Sequence, residues 1–185
     1  MRVLIVGCGY VGLPLGAELV KQNQQVFGLR RTLAAAQELK AAGIVPVTAD
    51  ITRFDELQRL SPEYDWVINC VSASGGGADE YQAVYCQGTR NLLNWLSTAS
   101  PRKFVYTSST GVYGQTDASW VEESSVTEPG TVTGKILVDT ERMLLEAHQG
   151  TEAYDDTKVQ WRSIARLPAA IASLPGMLAT RAYNS

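Results

Sequence analysis

The feature that most constrains this chain is a glycine-spaced turn close to its start. Arg2 to Val6 is a short apolar run, and it breaks at Gly7-Cys8-Gly9-Tyr10-Val11-Gly12. From Leu13 to Lys21 the apolar residues Leu15, Leu19 and Val20 recur at helical spacing, so the glycines lie between a strand and a helix. G-x-G-x-x-G is a weak signal alone and a specific one in that setting. The first glycine permits a tight turn, the second lets backbone approach a pyrophosphate, and the third lets helix and strand pack closely. The helix N-terminus then presents unpaired N–H groups and a partial positive charge to phosphate. Gly7, Gly9, Tyr10, Val11 and Gly12 are therefore assigned to a dinucleotide.

The rest of the chain keeps the same rhythm. Apolar runs at Gln25 to Leu29, Ile44 to Thr48, Trp66 to Val71 and Lys103 to Thr107 read as strands two to five, and Trp161 to Leu167 reads as a sixth. Between them, helices are predicted from a Thr32 cap through Leu39, around Phe54 to Leu60, from Glu80 to Ser97, and from Val132 to His148. Short apolar strands alternating with helices predict an α/β fold: a doubly wound, mostly parallel sheet of Rossmann type, covered on both faces. The expected domain runs over residues 1–167, with 168–185 as a short tail.

The end of the second strand selects the cofactor. A domain that prefers NAD usually carries Asp or Glu there to bind the adenosine ribose 2′-hydroxyl. This chain has no carboxylate from Val26 to Thr32 and offers Arg30 and Arg31 instead. A guanidinium matches a 2′-phosphate in charge and in its forked donors, so NADP is expected, with NAD as the alternative. Asp50 and Ile51 after strand three are assigned to the adenine end, and Cys70, Val71 and Ser72 at the end of strand four to the carboxyl edge where such sheets bind ligands.

These residues resemble the extended short-chain dehydrogenase/reductase superfamily of NAD(P)-dependent epimerases and dehydratases. Phe104-Val-Tyr-Thr-Ser-Ser-Thr-Gly-Val-Tyr-Gly114 is similar to that family's strand-five signature, Gly88-Thr89-Arg90-Asn91-Leu92-Leu93 to its fourth-helix motif, and Arg166-Leu167 to the close of its sixth strand. The resemblance implies that Ser109 positions the reacting oxygen and that a Tyr four residues before a Lys moves the proton. The lysine of the expected helix is Lys135, implied to hold the nicotinamide ribose, but Thr131 stands where the Tyr belongs. A threonine hydroxyl ionises far too high to serve as the shuttle, which leaves Tyr113, Thr131 through a water, or a group the sequence does not identify as the route. The family's fourth-helix Asn is Tyr85 here. Tyr154-Asp155-Asp156-Thr157-Lys158 has the Tyr–Lys spacing but reads as a loop too close to strand six. Gly9-Tyr10-Val11-Gly12-Leu13 also resembles the opening of nucleotide-sugar 6-dehydrogenases, which keep an acidic residue after strand two and are much longer.

Composition sets the remaining bounds. Hydrophobic residues make up 45% of 185, enough for one sizeable core, and a net charge of -3 gives no reason to expect a nucleic-acid surface. Three scattered cysteines and one histidine, His148, leave neither a disulfide framework nor a metal site to expect. No apolar stretch is long enough to span a membrane and no signal-peptide pattern opens the chain, so a cytoplasmic protein is expected. The expected function is that of an NAD(P)-dependent oxidoreductase, epimerase or dehydratase on a carbonyl or sugar-like small molecule. The alternative is a non-catalytic NADP(H)-binding sensor or regulatory module. The family's extended C-terminal part has no counterpart after Leu167, so an apolar edge covered by a second copy, a homodimer, is expected.

Overall fold

The computed structural model describes residues 1–149 apart from Ala118 and Glu123. The expected sixth strand, the Tyr154–Lys158 segment, the tail after residue 167 and the His148 side chain lie outside the described residues.

Five strands form one parallel sheet: β1 (Arg2–Val6), β2 (Gln25–Arg30), β3 (Val45–Thr48), β4 (Trp66–Asn69) and β5 (Lys103–Tyr106), in the order β3-β2-β1-β4-β5. Every adjacent pair is parallel; Val6 at the end of β1 faces Leu29 on one side and Asn69 on the other. The order reverses direction between β1 and β4. That reversal opens a crevice outside the carboxyl ends of the strands.

Strand β1 is central and buried from both sides, which is why it reads as an unbroken apolar run. Its residues alternate between two cores. Val3 and Ile5 join Leu15, Val26, Leu39, Ile44 and Ile68, whereas Leu4 and Val6 join Leu29, Leu57, Val67, Leu92, Trp95 and Phe104. Helices α1 (Gly12–Lys21) and α2 (Ala36–Ala41) cover the first face; α3 (Phe54–Leu57), α5 (Gly88–Leu96) and the later turns of α6 (Val132–Gln149) cover the second.

Two elements differ from the sequence reading in ways that matter. The helix expected over Glu80 to Ser97 starts earlier, at α4 (Ala78–Tyr81), and passes through a π-helical turn at Gln82–Gln87 before α5. Apolar periodicity cannot reveal that insertion, because one widened turn shifts the pattern by a single residue. Thr32 is extended, as a cap residue should be, but its side chain caps nothing, and a 3₁₀ turn at Leu33–Ala35 precedes α2.

Candidate functional site

The crevice holds a cleft of about 520 Å³ lined by the ends of β1 and β2 and by the residues that follow β3, β4 and β5. At its centre, Gly7 adopts a left-handed φ of 74°, and a Cβ there would lie 2.8 Å from the Val71 backbone. Gly12 starts α1 against β1, where a Cβ would lie 2.7 Å from Ile5 Cγ2. Gly9 differs: the nearest atom to a Cβ there is Arg30 Nη1 at 3.4 Å, so its outer side is open. Val11, the residue before α1, gives no side-chain cap, and the Gly9–Val11 lead-in to the helix lines the cleft. An unfilled cradle over Gly9 at an uncapped ten-residue helix suits a pyrophosphate.

Towards β2, Arg30 and Arg31 both line the cleft. Arg30 Nη1 donates to the Cys8 carbonyl at 2.8 Å, which folds its guanidinium over the glycine turn and leaves its remaining N–H groups for other partners. Arg31 is exposed and reaches Ser74 Oγ at 3.4 Å across the mouth. Beyond them lie Asp50, Ile51 and Thr52. Asp50 Oδ1 accepts from the Thr52 N–H and hydroxyl, and the Asp50 N–H donates to Glu56. Buried Asn91 on α5 donates to the Ile51 carbonyl at 2.8 Å, so the loop that walls this end is fixed from beneath.

Towards β5, Cys70, Val71, Ser72, Thr107, Ser108 and Ser109 line the cleft, joined by Val84 and Tyr85 from the π turn. Below them the buried Asn69 ties the two strands together: its carbonyl accepts from the Thr107 N–H at 3.0 Å and from the Thr107 hydroxyl at 3.2 Å. Ser108 Oγ is buried with no partner among the described residues, a polar atom at the wall of the cleft. Ser109 is exposed, and its Oγ accepts from the Gly111 N–H to start a short turn. Tyr85 is 8% exposed and its Oη accepts from the Ala73 N–H at 3.2 Å. Burial pushes the Cys8 thiol up to about 11 and the Cys70 thiol up to about 12, so neither is a nucleophile near neutral pH.

Of the residues singled out in the sequence, the structure brings Gly7, Gly9, Tyr10, Val11, Arg30, Arg31, Asp50, Ile51, Cys70, Val71, Ser72 and Ser109 to one cleft. Gly12 sits behind it as packing. Thr131, Lys135 and Tyr113 are not among the lining residues. Thr131, just before α6, and Lys135, in its first turn, are exposed; Thr131 Oγ1 accepts from the Gly134 N–H, and Tyr113 Oη donates to the Glu122 carbonyl in the loop after β5. The α6 residues turned towards Tyr85 and Val112 are instead Ile136 and Leu137, both buried. The sequence reading passed over Thr52, Val84, Thr107 and Ser108, each within two residues of an assigned residue or of Tyr85, and noted Tyr85 only as a departure.

A glycine turn at a strand-order reversal, an uncapped helix start and a cleft along the carboxyl edge define a Rossmann domain of the nicotinamide-dinucleotide-binding class. The profile of the NAD dependent epimerase/dehydratase family matches residues 3–134, and the chain belongs to that family. It is 28% identical to Protein YeeZ of Escherichia coli over 148 residues, which cover 77% of this chain and 53% of that protein. Its fold is similar to that of a Methylobacillus flagellatus protein described as an NAD-dependent epimerase/dehydratase, with a TM-score of 0.64 and 31% identity over 88% of this chain and 54% of that one. A UDP-glucose-4-epimerase from Stenotrophomonas maltophila, with bound NAD and formylated UDP-arabinopyranose, gives a TM-score of 0.71 and 26% identity over 83% of this chain and 51% of that one. The chain thus spans about half the length of the relatives it matches. Among the described residues no helix is long and apolar enough to cross a membrane.

Proposed function

We propose that this chain binds NADP(H) in preference to NAD(H) and serves hydride transfer on a carbonyl or sugar-like substrate. One observation carries the cofactor preference: Arg30 and Arg31 both line the β2 end of the cleft, where the strand carries no carboxylate. With the pyrophosphate over Gly9, that end receives the adenosine ribose. Arg30, steadied by the Cys8 carbonyl, and Arg31, with Ser74 beside it, would hold the 2′-phosphate.

The bound dinucleotide would supply or accept the hydride; the chain's own residues orient it and its substrate. Ser109, exposed at the β5 end with its O–H proton free to rotate, would hydrogen-bond the reacting oxygen, and Ser108 Oγ offers a second contact at the same wall. Titration of the chain with NADPH and NADH, alone and after Arg30→Glu with Arg31→Glu, tests the reading. NADPH should bind more tightly than NADH, and the double reversal should abolish that preference. Equal affinities in the unmodified chain would refute the assignment of the two arginines.

A further inference from the structure

The cleft contains a phenol that the expected proton route does not use. Two tyrosines line it, Tyr10 and Tyr85. Tyr10 stands 70% exposed at the glycine turn, on the pyrophosphate side, whereas Tyr85 is 8% exposed at the β5 end. From β2 through β1 and β4 to β5 is three strand spacings, roughly 14 Å. A dinucleotide with its adenosine at the arginines and its pyrophosphate over Gly9 therefore brings its nicotinamide half to β4 and β5, beside Tyr85, Ser108 and Ser109.

Three observations define what Tyr85 can do there. Its oxygen accepts from the Ala73 N–H, and its own proton goes to no acceptor among the described residues, so orientation is fixed and the proton remains available. The π turn over Gln82–Gln87 sets the ring's direction, and the Tyr81 ring, 5.0 Å away at 52°, backs it. Among the described residues no cation lines the cleft beside it: the cationic side chains of the lining are Arg30 and Arg31, at the opposite end, while α6 presents Ile136 and Leu137.

We propose that Tyr85 is the proton donor of this cleft and that the site is built to reduce aldehydes or ketones. This rests on the hydride-transfer reading above. The bound reduced dinucleotide would supply a hydride to the carbonyl carbon, and Tyr85 would give its phenolic proton to the carbonyl oxygen as the C=O π pair moves onto it; the products would be an alcohol, the oxidised dinucleotide and a tyrosinate that water reprotonates. The direction follows from the surroundings. Burial raises the Tyr85 phenol above its ordinary value, nearby Tyr81 and Glu80 raise it further, and only the Ala73 N–H opposes them. Cys86, Tyr106 and Tyr113 share the cluster and add no positive charge. The phenol is therefore neutral at physiological pH, ready as an acid and poor as the base that alcohol oxidation requires.

The test is NADPH oxidation by the chain with 9,10-phenanthrenequinone and a panel of aromatic and aliphatic aldehydes, beside calorimetric NADPH binding. Tyr85→Phe should keep NADPH affinity within about twofold and lower turnover by on the order of 10²-fold. Tyr64→Phe, at a ring packed against Phe27 away from the cleft, should leave turnover unchanged. Reduction should be level from neutral pH to about 9 and fall as the phenol ionises; 3-fluorotyrosine at position 85, a more acidic phenol of nearly the same shape, should move that fall to lower pH. Turnover of Tyr85→Phe within threefold of the unmodified chain, an alkaline fall that 3-fluorotyrosine does not move, or a chain that binds NADPH yet reduces no carbonyl of the panel would overturn the proposal. Failure of the unmodified chain to bind NADPH would instead overturn the cofactor reading beneath it.

Discussion

The three glycines of the turn should fail in different ways when each is replaced by alanine. At Gly7 the new Cβ would meet the Val71 Cα and N at 2.8 Å, and the backbone is left-handed with φ 74°. The conformation costs about 1–2 kcal/mol. Displacing backbone at the end of β4 adds about 1–3 kcal/mol in a packed interior. A total near 2–5 kcal/mol lowers the melting temperature of a domain this size by roughly 4–20 °C. Gly12→Ala should behave similarly, because its Cβ would meet buried Ile5 Cγ2 at 2.7 Å and the Gly7 carbonyl at 3.1 Å. At Gly9 the nearest atom is the tip of Arg30 at 3.4 Å, so Gly9→Ala should alter stability by less than about 0.5 kcal/mol. Its methyl would stand where the pyrophosphate must approach, and NADPH affinity should fall about tenfold or more, near 1.4 kcal/mol. Thermal melts without ligand and calorimetric titration with NADPH separate the two effects. A Gly9→Ala chain that melts as early as Gly7→Ala, or that binds NADPH as well as the unmodified chain, would refute this division of roles.

Three further outcomes follow from the same geometry. Asn91→Leu removes the bond to the Ile51 carbonyl and should cost about 1–3 kcal/mol in a urea melt. It should also weaken NADPH binding, and no change in either would show that the adenine-end loop holds itself. Ser109→Ala should leave melting nearly unchanged, since Ser109 is exposed and accepts a single local N–H, yet lower NADPH-dependent carbonyl reduction by about 10²-fold; undiminished turnover would remove Ser109 from the reaction. Cys8 and Cys70 have folded values near 11 and 12, above the ordinary 9.0, because burial penalises the thiolate. Their stabilising contribution is complete below pH 9 and is lost as pH rises towards 11 and 12, so the chain should lose stability over that window, and Cys70→Ala should flatten the loss in urea melts at stepped pH. An unaltered slope would contradict the burial argument.

Much of the fold could be read from residues alone because its determinants are local. The apolar run of β1, the glycine spacing and the recurring strand–helix rhythm each report a structural need that few other folds share. That Gly9, Arg30, Arg31 and Asp50 gather at one cleft was legible for the same reason: they lie at or just beyond the ends of strands that must meet at one edge. The β5 end was less so. Its composition depends on how far α6 and the π turn rotate, and no periodicity reports that rotation. Lys135 and Thr131 sit at plausible spacing in sequence, yet the helix turns Ile136 and Leu137 inward and leaves both polar residues in solvent. Tyr85 reads as an irregularity in the sequence and as a cleft wall in space, because the inserted residue of a π turn cannot be told from an ordinary helical one. Asn69, Ser108 and Thr107 gain meaning only once β4 and β5 lie side by side.

The central claim is that the cleft across β2, β1, β4 and β5 is a dinucleotide site whose arginine end takes a 2′-phosphate. Calorimetric titration of the chain with NADPH tests it most directly, with 2′,5′-ADP and NADH as the comparison ligands. The account predicts saturable one-to-one binding of NADPH, measurable binding of 2′,5′-ADP, which carries only the adenosine half, and weaker binding of NADH. Absence of binding by all three, or NADH binding more tightly than NADPH, would contradict it.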